Sequence, residues 1–201
     1  MEHVPWTRMA DGNAADYRML TDRYEAHATE TLVPNLIGLL RLLEGPKLGY
    51  QIDRYQHSLQ SASRAMRNDE SVDLVVGALL HDIGDGFAPE NHSAAAAAII
   101  EPFVDEETHW VVKHHGLFQG YYYFHHMGGD RNARELYRSA PHFEACARFC
   151  ELYDQNCFDP DYPTLQIEDF LPALTEVFSR PSRLPDYAPI VESDTIGQPG
   201  A

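Results

Sequence analysis

Six side chains of metal-binding type recur through the middle of the chain. Four are imidazoles and two are carboxylates: His57, His81, Asp82, His92, His115 and Asp154. Histidine is the commonest metal ligand in proteins, and carboxylates suit hard cations. Because the set has no thiolate, it fits an octahedral Fe or Mn site better than a closed structural zinc site. One carboxylate, such as Asp82, can bridge two ions, so the set predicts a dinuclear centre.

The doublet His81-Asp82 follows the most apolar segment of the chain. Residues 73–82 read DLVVGALLHD, which is apolar nearly all round and predicts a buried central helix. An unpaired imidazole and carboxylate buried at its end would cost on the order of several kcal/mol. A hydrogen-bonded pair that caps the helix would offset this cost, and so would a metal ion. The four further ligands favour the metal.

Helices must position these side chains, because the apolar spacing is helical nearly everywhere and no alternating run predicts a hairpin. We therefore predict an all-α fold. The predicted helices cover residues 16–43 with a break or kink at Pro34, 52–66, 73–82, 94–100, 105–115, 141–158 and 167–178. The aromatic, glycine-punctuated stretch 116–130 predicts an ordered loop that forms a pocket wall.

A chain of 201 residues suits one domain. We assign residues 16–180 to a single helical domain, residues 1–15 to a loose N-terminal segment and residues 181–201 to an irregular, proline-rich tail. The three cysteines, Cys146, Cys150 and Cys157, form no CxxC pair and are predicted to be buried free thiols.

Charge and composition exclude several classes of partner. The formal net charge of −16 repels phosphate backbones and anionic lipids, so we expect neither nucleic-acid nor membrane binding. No apolar run approaches the roughly 18 residues of a membrane span, and the first residues lack a secretory pattern. A cytoplasmic protein with a small-molecule substrate is expected. Only Lys47 and Lys113 are lysines, so a mechanism that needs a lysine has few places for one.

The order of the six ligands resembles the HD-domain superfamily of metalloenzymes, over about residues 50 to 160. The His81-Asp82 doublet with His57 upstream and Asp154 downstream carries this resemblance, and its dinuclear members use two added histidines. The resemblance implies a helical bundle with a buried dinuclear site held by all six residues. Spacing leaves His114 and His115 both open, since adjacent helical residues point about 100° apart. The family counterpart beside the following loop favours His115.

Two chemistries are compatible with this resemblance. Most HD proteins are phosphohydrolases, whereas a minority, including inositol oxygenase and the organophosphonate-cleaving enzymes, are mixed-valent di-iron oxygenases. The segment HSLQSA, which starts at His57, is similar to the His-x-x-Gln-x-Ala segment of the oxygenases. Its Gln60 lies one helical turn from His57 and is either a hydrogen-bonding neighbour of the metal centre or an ordinary polar residue.

The oxygenase resemblance implies two iron ions, Fe(II) and Fe(III). It also implies that O2 is used to cleave a small, hydroxylated polar substrate, which carries a phosphonate if the enzyme is of the organophosphonate-cleaving type. The alternative is a phosphohydrolase that uses the same ligands, with Mn or another divalent metal, on a phosphomonoester or nucleotide. A binding module without turnover is a third reading. Asp85 stands where inositol oxygenase has a lysine, which disfavours inositol. The residues after His115 lack the glycine-tyrosine-proline signature of the cyclic-dinucleotide phosphodiesterases.

Candidate substrate contacts come from three places. Tyr50 resembles, by its distance before His57, the lid tyrosine of the phosphonate oxygenases. Arg131 and Arg134 either hold a phosphonate, phosphate or carboxylate by paired hydrogen bonds or are solvated surface residues. The aromatic run 121–124 either cages a cation or serves packing.

Overall fold

The structure is a computed structural model that describes residues 3–184. Within that range all of its regular secondary structure is helical and there is no strand, which confirms the all-α prediction. The α-helices of this range are α1 (Ala14–Leu40), α2 (Arg54–Arg67), α3 (Val72–Leu80), α4 (His92–Ile100), α5 (Glu106–Tyr123), α6 (Phe143–Phe149) and α7 (Ile167–Phe178).

Side-chain caps explain where several helices begin. Asn13, Asp53, Ser71 and Asp105 each accept hydrogen bonds from backbone N–H groups in the first turn of α1, α2, α3 and α5, respectively. The first N–H groups of a helix have no partner within the helix, so such caps stabilise its start by about 1 kcal/mol. The starts of α2, α3 and α5 therefore follow from local sequence.

Helix α3 forms the centre of the core. Val76, Ala78 and Leu79 are fully buried on it, and α3 packs against α2, α5 and α7. A Cβ atom added to Gly77 would lie 2.7 Å from Cγ2 of Thr108 on α5, so this glycine permits close approach of the two helices. The C-terminal end of α3, which carries the His-Asp doublet, consequently lies in the middle of the molecule.

Helix α1 differs from its prediction at Pro34. The helix continues through this residue to Leu40 and then tightens into a 3-10 turn, Arg41–Leu43. Pro34 lies on an exposed part of the helix. Water can therefore satisfy the carbonyl that loses its backbone partner, and the helix does not end there.

The predicted loop over residues 116–130 is wrong in its first half. Helix α5 extends to Tyr123, and only then do a 3-10 turn, Phe124–Met127, and the left-handed Gly128 end it. The glycines inside α5 serve close packing instead of breaking the helix. A Cβ atom on Gly116 would lie 2.8 Å from Oγ of Ser93, and one on Gly120 would overlap the ring of Phe124.

The predicted helix over residues 141–158 is shorter and irregular. Helix α6 gives way to a π-helical turn, Cys150–Asp154, in which the backbone N–H of Gln155 donates to the carbonyl oxygen of Cys150. One extra residue in a turn changes the direction of the side chains that follow, and such turns frequently occur at functional sites. Asp154 is the last residue of this turn.

Residues 3–184 include no helix with the length and apolarity that a membrane crossing requires. Near the N-terminus, Trp6 stacks on Tyr17 and its indole N–H donates to Asp16, so this segment contacts α1. The division into residues 1–15, 16–180 and 181–201 stays a prediction, and residues 185–201 of the tail lie outside the described part.

All three cysteines are free and buried. Burial raises the pKa of Cys157 to about 12 and also raises the pKa of Cys150. Because the thiolate is the reactive form, we expect native protein at neutral pH to react negligibly with an aromatic disulfide reagent, whereas protein in guanidinium exposes three reactive thiols. Fast labelling of any cysteine in the native protein would contradict this burial.

Candidate metal centre

The six predicted ligands converge at the centre of the bundle, although they come from five separate segments. Five of them are at most 3% exposed, and His92 is partly exposed. They are supplied by α2 (His57), the end of α3 (His81 and Asp82), α4 (His92), α5 (His115) and the π-helical turn (Asp154). The structure also places His115, rather than His114, in the cluster. His114 instead stacks on Trp110.

Asp82 lies between the four imidazoles. Its Oδ2 atom is 3.4 Å from Nε2 of His57 and 3.4 Å from Nε2 of His81. Its Oδ1 atom is 3.2 Å from Nε2 of His115 and 3.6 Å from Nε2 of His92. One carboxylate therefore faces both halves of the cluster, as a bridging ligand must.

Asp154 closes the cluster from the opposite side. Its Oδ1 atom lies 3.4 Å from Nε2 of His57 and accepts a hydrogen bond from Nε2 of Gln119 at 3.1 Å. Its Oδ2 atom is buried and has no hydrogen-bond partner among residues 3–184. Buried carboxylate oxygens are normally paired, so this oxygen is suited to bind a cation.

The hydrogen bonds of the four histidines fix which ring nitrogen carries the proton. In each ring Nδ1 faces a backbone carbonyl oxygen, at distances of 2.9, 2.8, 3.3 and 2.7 Å along the chain. These carbonyls belong to Cys157, Ala78, Pro89 and Val112, respectively. A carbonyl only accepts, so Nδ1 must donate, and each neutral ring presents an unprotonated Nε2 to the cluster.

All six candidate ligands thus present acceptor atoms to the centre. The clearest case is the pair His57 and His81, whose Nε2 atoms are 3.2 Å apart with a lone pair on each. Two facing lone pairs and two carboxylates repel one another unless a cation lies between them. The donor set fits divalent metal ions, and three overlapping groups of these side chains are close enough to hold one.

The charges within the cluster shift its pKa values. Burial opposes ionisation of Asp82, but His81 and the Arg54 guanidinium outweigh it and hold the pKa of Asp82 well below its usual range. Burial likewise opposes ionisation of Asp154, yet the neighbouring imidazoles of His57 and His81 outweigh it and lower the pKa of Asp154. Both side chains are therefore carboxylates at neutral pH, the form that binds metal.

Gly84 permits the approach of α4 to the cluster. A Cβ atom at this position would lie 2.5 Å from the backbone oxygen of His92 and 2.6 Å from its Cα atom. We expect Gly84→Ala to destabilise the fold by about 3 kcal/mol, because backbone cannot move aside as a flexible side chain can. Gly38→Ala in α1, where nothing lies within 4 Å, is the matched control and should be neutral or stabilising. Equal melting temperatures for both variants would contradict this packing.

A cavity of about 500 Å³ opens onto the metal centre and is lined by Asp82, His92, His115 and Asp154. Its volume suits a small molecule. Tyr50 stands at this cavity, as predicted for a substrate contact, and stacks on Phe158 with ring centroids 4.8 Å apart. Phe158 in turn stacks on the ring of His57 at 4.6 Å.

The rest of the cavity wall combines aromatic and cationic side chains. Tyr122 and Tyr123 line it from the last turn of α5. Burial raises the pKa of each phenol, so both can donate a hydrogen bond at neutral pH. Lys113 also lines the cavity and forms no ion pair within residues 3–184. One of the two lysines of the chain therefore does stand at the site.

The predicted arginine contacts are corrected by the structure. Arg131 and Arg134 do not line the cavity, because their guanidinium groups lie over the ring of Tyr121, 4.1 and 3.8 Å from its centroid. Arg54, at the start of α2, lines the cavity instead. No local pattern near Arg54 signals this role, since only the fold brings α2 beside the His-Asp doublet.

Gln60 acts at a distance from the centre. Its side chain forms hydrogen bonds with both the backbone N–H and the carbonyl of Asp159. This anchors the segment whose Cys157 carbonyl accepts from His57 and whose Phe158 stacks on the same ring. The structure therefore gives Gln60 an indirect influence on His57, since both of these side-chain hydrogen bonds are made with Asp159.

Comparison with known families agrees with this architecture. Residues 54–153 match the family described as "HD domain". The matched segment begins with α2, includes five of the six ligands and ends one residue before Asp154. The chain therefore belongs to the HD-domain superfamily.

A curated relative matches part of the chain. The chain is 26% identical over 88 residues to the multifunctional CCA protein of Hahella chejuensis, a match that covers 40% of this chain and 21% of that protein. The chain thus spans about a fifth of the length of this relative. Neither comparison points to the oxygenase subtype.

Proposed function

We propose that this protein is a di-iron oxygenase that uses O2 to cleave a small, hydroxylated polar substrate. The observation that carries the proposal is the donor set: four unprotonated imidazole nitrogens and two carboxylates at the floor of a small-molecule cavity. Imidazole nitrogens suit iron among other transition metals, and a mixed imidazole and carboxylate set is compatible with two iron ions. When bound, two iron ions, Fe(II) and Fe(III), supply O2 activation and the electrons for substrate oxidation.

The side chains of the cavity have separable roles in this proposal. Asp82 holds the two halves of the centre together, and Gln119 orients Asp154 through its hydrogen bond. The phenols of Tyr122 and Tyr123 donate hydrogen bonds to substrate oxygens. The stacked rings of Tyr50 and Phe158 limit the access of water on the His57 side.

The guanidinium of Arg54 is already engaged by carboxylates of this chain, which weighs against its use on a phosphate ester. Attack on a phosphate ester requires cations that neutralise the developing charge. Arg54 is already paired with Asp85 at 2.9 Å and lies 3.4 Å from Asp82. We further propose that the protein acts in the cytoplasm. Its partners are then a small-molecule substrate and O2, with no nucleic acid or membrane.

Metal-dependent phosphohydrolysis of a phosphomonoester or nucleotide is the second candidate. Two observations favour it: the HD-domain match, because most members of the superfamily are phosphohydrolases, and Lys113, which offers an unpaired cation to a phosphate group. In this case manganese or another divalent metal would replace iron at the same six ligands.

A paired assay separates the candidates. Metal-free protein is reloaded with Fe(II) or Mn(II), and O2 uptake with hydroxylated phosphonates and polyols is compared with phosphate release from phosphomonoesters and nucleotides. We expect substrate-dependent O2 uptake with iron only, abolished by His81→Ala and unchanged by His126→Ala, an exposed histidine outside the cluster. Phosphate release supported by manganese, without O2 uptake, would establish the hydrolase instead.

A further inference from the structure

The support of His92 differs from that of the other three histidines in the cluster. The side chains of His57, His81 and His115 are at most 3% exposed, and each Nδ1–H donates to a carbonyl within 2.9 Å. His92 is 24% exposed, and its carbonyl partner is 3.3 Å away. A second and nearer oxygen, Oδ1 of Asp85, lies 3.2 Å from the same Nδ1, at ion-pair distance.

Asp85 is itself held by Arg54. Its Oδ2 atom accepts hydrogen bonds from Nε and from a terminal nitrogen of Arg54, at 3.0 and 2.9 Å. Another terminal nitrogen of Arg54 lies 3.4 Å from Oδ2 of Asp82. Arg54 therefore fixes Asp85 relative to the carboxylate at the middle of the cluster, and Asp85 places a carboxylate oxygen beside Nδ1 of His92.

We propose that Arg54 and Asp85 are a positioning pair that aims Nε2 of His92 at one of the two metal ions. A carboxylate that accepts from Nδ1–H orients a histidine ligand and raises the basicity of its Nε2. The inference rests on the dinuclear centre of the proposed function, but on neither of its candidate reactions.

The effect of the pair is confined to one half of the centre. The other half contains His57, His81 and Asp154, which are close enough to hold an ion by themselves. The rings of both histidines are oriented by backbone carbonyls, which no substitution at Arg54 or Asp85 removes. Loss of the pair should therefore weaken one ion and spare the other.

The competing role for Asp85 is that of a direct ligand, because a carboxylate oxygen of Asp85 also lies close enough to Asp82 and His92 to share an ion with them. Asparagine separates the roles. Its amide oxygen still accepts from Nδ1–H of His92, so Asp85→Asn retains part of a positioning role. As a neutral group, it replaces a carboxylate ligand poorly.

The test is an anaerobic titration of metal-free protein with Fe(II), in which bound iron is measured directly. Asp85→Ala should weaken one of the two ions by about 10- to 100-fold and leave the other unchanged. Asp85→Asn should have a smaller effect, and Arg54→Gln should weaken the same ion. Glu90→Ala, an exposed acid of the same cavity wall, is the matched control and should bind as the wild type does.

Circular dichroism verifies that each variant is folded. If Asp85→Ala does not fold, Arg54→Gln provides the test instead. Unchanged binding in folded Asp85→Ala, or loss of both ions, would overturn the proposal. Equal weakening by alanine and asparagine would overturn it in favour of a direct ligand. If the wild-type protein itself binds fewer than two ions, the result contradicts the dinuclear centre of the proposed function, on which this inference rests.

Discussion

Replacing Asp82 with alanine is expected to abolish turnover and to reduce bound metal from two ions per chain to at most one. The reason is geometric, because the two oxygens of this single carboxylate face Nε2 atoms in both halves of the cluster, at 3.2 to 3.6 Å. Removing a residue that merely orients a ligand costs about 10- to 100-fold in metal affinity, and a bridging ligand should cost more. Metal analysis of the purified variant measures the effect.

Two controls make the Asp82 result specific. Glu90→Ala removes an acid from the same cavity wall and should retain both ions and activity. Circular dichroism should show native helix content in Asp82→Ala, because removing the carboxylate also removes its repulsion with the other acceptors of the cluster. A folded Asp82→Ala protein that keeps two ions would contradict the proposed ligand set.

Removing the metal is expected to lower the melting temperature by roughly 8 to 16 °C. At a free-metal concentration about 1,000-fold above its dissociation constant, a bound ion stabilises the folded state by about 4 kcal/mol, and each kcal/mol shifts the melting temperature of a domain of this size by about 2 to 4 °C. The physical source is the buried cluster, whose facing lone pairs are unpaired without a cation. Thermal unfolding with and without a chelator measures the shift.

The stabilisation by metal should also increase with pH. Burial lowers the pKa of His81, but Asp82 and Asp154 outweigh burial, so the net pKa is raised. Below that pKa a proton stabilises the metal-free fold and competes with metal, and as pH rises through it this stabilisation is lost. The chelator-induced shift should therefore be larger at about pH 8 than at about pH 6. His57→Ala, which lacks a ligand of one of the two ions, should show a smaller response to chelator than the wild type, and an unchanged wild-type melting temperature would argue against a metal-loaded cluster.

The features that sequence predicts well are local. Helix α7 has the predicted bounds, and α2 and α3 begin within two residues of prediction, because capping side chains and apolar periodicity act over a few residues. The six ligands are predictable for another reason: their residue types and their order along the chain resemble a known family, and the fold does bring them together.

The features that sequence misses depend on contacts between distant segments. Gly116 resembles a helix breaker in isolation, but it is a contact point where α5 meets Ser93. Arg131 and Arg134 resemble anion-binding residues, but both are engaged by the ring of Tyr121. Arg54 acquires its place only because α2 packs beside α3. The sequence did contain a signal that Asp85 lies near the metal centre, because it follows Asp82 by only three residues in a tight turn.

The central claim, a pair of coupled iron ions held by the six ligands, is tested most directly by low-temperature EPR of anaerobically iron-loaded protein after partial oxidation. We predict a signal from two antiferromagnetically coupled ions, with g values below the free-electron value, that changes when a hydroxylated substrate is added and is absent in Asp82→Ala. Two bound iron ions that give no coupled signal at any stage of oxidation would contradict the claim and leave phosphohydrolysis as the better account of the site.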